Sequence, residues 1–333
     1  MLWNGDEMLD AIIIGGGHNG LVCAFYLAQA GMKVTICEAR DLIGGAAVTE
    51  EFAPGFRNST ASYTVSLLQP KIIKDMELVE RGYRVVRRPV SNYLPLKDGY
   101  LLMGPQLEFS QNQVKQFSIE DAKRLPEYFS MLEGAAEVLR QLALSTPPEP
   151  DGGLRSLLEA AIQTKALRRL PIGRQREVLQ LFTRSAAEVL DSWFETEPIK
   201  AALGFDSCVG NYASPYDPGS AYVLLHHVFG EIDGEKGAWG HVIGGMGAIT
   251  QMMGKACLDK GVEIRTGEAV KNVLIEKGVA TGVRLASGEE IGSKIYADKI
   301  SESELKFLFA LIDSDQSGTI SVKELSDFLK ENK

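Results

Sequence analysis

Thirty residues near the start of the chain, DAIIIGGGHNGLVCAFYLAQAGMKVTICEA, leave it few folds to choose from. Ala11–Ile14 is an apolar run that stops on glycine, the pattern of a short buried strand. The residues after it turn helical, with Leu21, Ala24, Phe25 and Ala28 on one face and Gly31 as the stop. KVTICEA then reads as a second buried strand that ends at Glu38. Strand, helix and strand within about thirty residues are the opening unit of a Rossmann-like α/β domain.

Inside that unit Gly15, Gly17 and Gly20 fit GxGxxG. Gly15 permits the tight turn, Gly17 lets backbone approach a pyrophosphate, and Gly20 allows helix and strand to touch. The start of the helix offers free N–H groups and partial positive charge to phosphates. Glu38 lies 18 residues beyond Gly20, where a carboxylate can accept hydrogen bonds from a ribose. The chain is therefore expected to bind a dinucleotide, and the fingerprint alone does not say which. Gly44 and Gly45 follow Glu38 closely, with Thr49 behind them. They read either as an ordinary loop or as a second bare backbone edge beside the dinucleotide. The second reading resembles the double-glycine motif of FAD oxidoreductases of the amine oxidase and phytoene desaturase type, and it favours FAD over NAD.

The segments GHNGLV, IGGAAVTEE, PGF, ASYTVSLLQP, DSWFETEPIKAAL, SPYDPGSAYVLLHHVFG and GAWGHVIGGMGAI follow in this order. Together, over roughly residues 9–295, they resemble the pyridine nucleotide-disulfide oxidoreductase domain-containing protein 2 group of phytoene desaturase-like flavoproteins. The resemblance implies FAD, a small-molecule substrate, and a helical insertion that forms the substrate side. It also implies that backbone near EAVKNV meets the adenine, with Val270 as the contact; a core-facing strand valine is an equally good reading of that residue. Cys23, Cys37, Cys208 and Cys257 show no CxxC or zinc spacing. They read as reduced, mostly buried thiols, so flavin chemistry alone is expected. No side chain stands out as a catalytic acid or base.

From about Phe117 to Lys200 the pattern is helical, with Ser118 and Asp121 marking a capped start. REVLQLFTRSAAEVLDSWF reads as one further helix. The run KALRRLPIGRQR gathers Lys165, Arg168, Arg169, Arg174 and Arg176. A solvated helix face is the favoured reading, ahead of docking on an anionic membrane or partner. His226 and His227 are adjacent, so on a helix they point about 100° apart and cannot grip one metal together. Packing or backbone hydrogen bonding is favoured for both, although the resemblance implies that one borders a substrate cavity. His18 reads as a local loop contact. Gly244, Gly245 and Gly247 open a helix that turns Ile249, Met252, Met253 and Ala256 inward. VEIRTG, VKNVLIE and ATGVRLASGEEI follow as strands, and SKIYA should return to the central sheet.

The tail carries a different signature. Asp313, Asp315, Ser317, Gly318, Thr319, Ser321 and Glu324 occupy positions 1, 3, 5, 6, 7, 9 and 12 of an EF-hand loop. The expected ligands of Ca2+ are Asp313, Asp315, Ser317, Thr319, Ser321 and Glu324, with Gly318 permitting the sharp turn. Ser301 and Glu304 make a capping box before LKFLFALI, and VKELSDFLKEN exits. One helix pair cannot bury so many apolar residues well. The expected partner is either a second EF-hand from another chain, which would make a homodimer, or the flavoprotein body.

The fold class expected is α/β: a Rossmann-like FAD-binding domain with a largely helical insertion, followed by a C-terminal helix–loop–helix EF-hand. Its parts are residues 9–110 and 239–297 for the FAD-binding domain, 111–238 for the insertion and 298–333 for the EF-hand. Hydrophobic residues at 45% and charged residues at 24% are ordinary for a globular chain. A net charge of −9 argues against a nucleic-acid partner. No apolar run is long enough to be a transmembrane segment. The leader MLWNGDEMLD lacks the features of a signal or transit peptide. A cytoplasmic location is expected, and the resemblance also implies the mitochondrial matrix. The family's C-terminal portion is not seen after SKIYA, so an FAD-binding oxidoreductase with a calcium-binding tail is expected to turn over weakly. The alternatives are a calcium-binding protein with a non-catalytic flavoprotein-like body, and a truncated or fused product without activity.

Overall fold

The computed structural model describes residues 9–143, 164–276 and 279–293. Their contacts divide the chain into two units. One takes in the described residues of Met1–Thr64, Gln69–Val85 and His241–Lys333, the other Val65–Leu68 and Val86–Gly240. Apart from Val65–Leu68, the divisions fall at Val85/Val86 and Gly240/His241, whereas the sequence pattern puts them at 110/111 and 238/239.

The first unit is built on a three-stranded parallel sheet. Val34–Cys37 is its central strand, flanked by Ala11–Ile14 and Glu263–Arg265. All four residues of the central strand are buried, as expected where a parallel strand is covered on both faces. Along Ala11–Ile14 the two faces separate with the period of a strand. Ala11 and Ile13 are buried, and Ile13 lies against the helix His18–Gln29 at Gly20. Ile12 and Ile14 instead pack on Cys37, Val283 and Leu285, beneath an antiparallel meander. That meander is Val270–Glu276, Val279–Leu285 and Glu290–Gly292. ATGVRLASGEEI, one strand by its sequence pattern, forms two, because the chain reverses at Gly288, whose φ is +93°. Ser293, the first residue of SKIYA, bridges Leu9 in parallel beside the sheet; the rest of SKIYA lies outside the described residues. The helix Met246–Asp259 packs beside His18–Gln29, and the Cys257 thiol donates to the Leu21 carbonyl at 3.1 Å.

The second unit is mainly helical, with the ribbon Asn92–Leu96/Gly99–Met103 attached. Its core gathers Leu101, Leu125, Tyr128, Leu132, Leu181, Ile199 and Leu224, each at most 2% exposed. The long helix Ile119–Ala143 runs through it. Pro126 lies inside that helix and cannot donate to the carbonyl of Ala122. The Gln111 side-chain amide takes the place of the missing donor at 2.9 Å. Ser118 does cap the start, accepting from the Asp121 N–H at 3.1 Å. The Asp121 carboxylate, itself buried, accepts from the backbone of Glu195 and Thr196 and from the Thr196 hydroxyl. It thereby caps the approach to the helix Glu197–Gly204 from a distant part of the chain.

REVLQLFTRSAAEVLDSWF is two helices, not one: Ile172–Thr183 and Ala186–Trp193. Arg184 is extended, and Ser185 starts the second helix through a capping box with Glu188, 3.1 Å in each direction. Residues 298–333, and with them the expected EF-hand, lie outside the described residues.

Candidate functional site

Where Ala11–Ile14 runs out, glycine governs the geometry. Gly15 has φ +97°, a conformation L side chains avoid, and its N–H donates to the Cys37 carbonyl at 2.8 Å. The Gly16 N–H donates to Glu38 Oε2 at 2.6 Å, and the Arg40 N–H to Glu38 Oε1 at 2.9 Å. The Glu38 side chain is thus turned back over the glycine turn and fixed at the end of the central strand, buried at 8% exposure. Gly17 is extended and stands at the N-cap of His18–Gln29. A Cβ on Gly20 would lie 2.2 Å from the Gly15 carbonyl oxygen, so helix and turn meet there with no room for a side chain.

The second glycine pair is laced to the first. The Gly44 N–H donates to the Gly16 carbonyl at 2.9 Å, and Gly17 and Gly44 form a parallel bridge. Gly45 has φ +56°, and a Cβ there would come within 3.1 Å of Gly17 Cα. Gly44 does more than offer an edge. Its φ is +136°, and a Cβ would strike Val48 and Thr250. Gly15, Gly17, Gly20, Glu38, Gly44 and Gly45 are therefore all brought together. Gly16, which the fingerprint leaves unassigned, supplies the N–H that orients Glu38; its only signal in the sequence is being one of three consecutive glycines.

Two helices of this unit begin after glycines, and they differ at their starts. At Met246–Asp259 the first N–H groups are already used: Met246 donates to the Ser59 hydroxyl at 3.0 Å and Gly247 to the Thr49 hydroxyl at 2.9 Å. His18–Gln29 has no side-chain cap and no acidic residue in its first turn. Its positive end is left for an outside anion. The sequence shows Thr49 beside the glycine pair but not its part in capping a helix almost 200 residues away.

Val270 lies at the start of a meander strand, half-buried against Cys37, Val283 and Leu285. The segment just before it runs beside Glu38: Glu268 N–H donates to the Glu38 carbonyl at 2.9 Å. This packing is the core-facing position expected for Val270. His18 is exposed at the first position of its helix. Burial pushes the Cys37 thiol up to about 11 and the Cys257 thiol up to about 12, so neither supplies a thiolate near neutral pH. The four cysteines are free.

In the second unit, His226 and His227 stack against Trp239, with centroids 5.1 and 4.9 Å away. His227 Nδ1 lies 3.2 Å from Asp206 Oδ1. Burial disfavours the charged form of each partner. Burial lowers His227 to about 4, with His226 and Arg88 adding to the effect, and burial raises Asp206 to about 7 against the opposing pull of Asn92 and Arg88. Asp206 Oδ1 and Arg88 Nε are buried without a well-formed hydrogen bond.

Among the described residues no cluster of three or more His, Cys, Asp or Glu could hold a metal ion. Asp313, Asp315, Ser317, Thr319, Ser321 and Glu324 lie outside them. No described helix is long and apolar enough to cross a membrane.

A parallel-strand sheet, a glycine turn with an open helix start, and a carboxylate at the tip of the central strand define a dinucleotide-binding oxidoreductase fold. Residues 20–300 match the family described as flavin containing amine oxidoreductase, and the chain belongs to that family. Pyridine nucleotide-disulfide oxidoreductase domain-containing protein 2 of Rattus norvegicus is 39% identical over 302 residues, which cover 86% of this chain and 52% of that protein. A limonene dehydrogenase polypeptide of Castellaniella defragrans is 30% identical, over 88% of this chain and 50% of that one. A solved variant of putrescine oxidase is similar in fold, with a TM-score of 0.53 at 16% identity, over 91% of this chain and 63% of that chain. The chain spans about half the length of the curated relatives it matches.

Proposed function

We propose that this chain binds FAD through its first unit and serves a flavin-dependent oxidation of a small organic molecule. The observation that carries the reading is the buried Glu38 carboxylate held beside an uncapped, glycine-started helix. Gly17 and the N-terminal end of His18–Gln29 would receive the pyrophosphate, Glu38 the adenosine ribose, and Gly45 would border the same strip of bare backbone. Val270 is the residue proposed for the adenine end. When bound, the flavin would accept a hydride from a C–H bond, either in a hydrocarbon or next to an amine nitrogen. The chain's own part is to bind and orient it, and to keep side chains out of the dinucleotide's path. Similarity to the limonene dehydrogenase polypeptide favours a hydrocarbon substrate, and family membership an amine; the proposal covers both classes.

The decisive test is to denature the purified protein and identify what is released. FAD is expected, and a nicotinamide dinucleotide without flavin would sink the proposal. Gly17→Leu sharpens it. Gly17 has φ −69°, which any residue adopts, and the nearest atom to a Cβ there is Gly45 Cα at 3.8 Å. The variant should fold and melt like the flavin-stripped parent, yet fail to take up flavin. Full flavin retention in a folded Gly17→Leu protein would move the pyrophosphate elsewhere.

The ligand spacing at Asp313, Asp315, Ser317, Thr319, Ser321 and Glu324 supports a second, separate proposal: the tail binds Ca2+ and pairs with its counterpart on another chain.

A further inference from the structure

KALRRLPIGRQR reads in sequence as a solvated helix face, which should turn polar groups outward and apolar ones inward. The structure departs from that. The run forms two helices, Lys165–Arg169 and Ile172–Thr183, joined at Leu170 and Pro171. The second helix buries Val178 and Leu181 in its unit's core. Its opposite face is a stripe of Ile172, Arg176, Leu179 and Thr183, spaced to line one side of a helix. Ile172 is 78% exposed and Leu179 59%. Phe182, also exposed, lies beside the stripe and stacks on the exposed Tyr222 with centroids 6.0 Å apart.

Arg176 stands in the stripe itself, and Lys165, Arg168 and Arg169 lie on the short helix that precedes it in the chain. Lys165, Arg168, Arg169 and Arg176 are exposed, and none has an ion pair among the described residues. Arg174, by contrast, is turned onto Glu177 at 2.9 Å. Such a concentration of positive charge, without an ion pair among the described residues, stands out on a chain of net charge −9.

The geometry points to a peripheral docking surface for an anionic lipid bilayer, made by Lys165–Arg169 and the outward face of Ile172–Thr183. Arg168, Arg169 and Arg176 meet headgroup phosphates, while Ile172, Leu179 and Phe182 enter the boundary with the acyl chains. An acidic soluble protein or a nucleic acid would match the cations, but neither has need of an aliphatic stripe. The surface belongs to the second unit and does not depend on flavin binding in the first.

The test is co-sedimentation of the full chain with phosphatidylcholine vesicles, with and without phosphatidylserine, alongside capture on soluble polyglutamate. Binding should require phosphatidylserine and weaken as salt is raised. Each cation neutralised should weaken it about fivefold, so Arg168→Gln/Arg169→Gln/Arg176→Gln should lose about a hundredfold. Leu179→Ser should weaken vesicle binding without altering its salt dependence. Thermal melts check that the variants fold, and the salt dependence of the unmodified chain stands on its own if one does not. Absence of vesicle binding, equal binding to both vesicle types, or capture by polyglutamate alone overturns the proposal. So does a folded triple variant that binds phosphatidylserine vesicles as well as the parent.

Discussion

Burial pushes Asp206 up and His227 down, so that the pair should hold one proton in the fold, the same number as in the unfolded chain. Unfolded, above about pH 4 and below about pH 6.5, the carboxyl is ionised and the imidazole carries the proton. Folded, burial raises the carboxyl to about 7 and lowers the imidazole to about 4, which favours the proton on Asp206 with both groups neutral. The number bound hardly changes on unfolding, and the pair should leave stability flat across this window. Single substitutions should expose the two opposing halves. In Asp206→Asn, the remaining His227 has a lowered pKa, so relative to the parent stability is lost as pH falls from about 6.5 towards 4. In His227→Gln, the remaining Asp206 has a raised pKa, so stability is lost as pH rises from about 4 towards 7. Each slope should approach about 1.4 kcal/mol per pH unit, with opposite sign. Urea unfolding across that range measures both; parallel profiles for parent and variants would show that the pair does not hold its proton in this way. Arg88 and His226, which also face the pair, remain in all three proteins and cancel in the comparison. None of this was legible in the sequence, because Asp206 and His227 meet only once the fold places a short helical turn beside Trp239.

Among the elements, what could be read ahead depended on how local its cause was. The first strand, its helix and the second strand follow from apolar period and glycine position over thirty residues, and they stand where the sequence put them. The glycine loops and Glu38 were legible as a cluster for the same reason. The break at Arg184 was legible in principle, since Ser185 and Glu188 form a capping box three residues apart, but the continuous apolar pattern around them obscured it. Ser185→Ala should therefore cost about 1 kcal/mol, seen as a lower urea midpoint with an unchanged slope. A stability equal to the parent's would mean that the helix start is fixed by packing alone. Other supports lie beyond any local pattern. The hydroxyls of Thr49 and Ser59 serve a helix almost 200 residues later, and Gln111 repairs the gap left by Pro126 from a neighbouring helix.

At the scale of the whole molecule, the tail proposal predicts that Ca2+ adds heat and mass together. Two aspartates and one glutamate are a modest charge for such a loop, so affinity should fall at the weak end, about 10⁻⁵ M or poorer. Calorimetric titration should give heat with the parent and little with Glu324→Ala, and light scattering should show dimer only with the metal. Equal heats from both proteins would remove the loop as the site, and an unchanged monomer mass would remove the pairing. The first unit carries a consequence of another kind. Its central strand is paired on one side by residues made almost at once and on the other by Glu263–Arg265; Thr35 and Glu263 are 228 residues apart. At about 5–20 residues per second on the ribosome, roughly 10–50 s pass between the two events. For that interval the nascent chain carries an apolar strand with one edge unmatched, while the entire helical unit is synthesised. Its yield in a cell should therefore depend on what shields that edge during translation as much as on the stability of the finished fold.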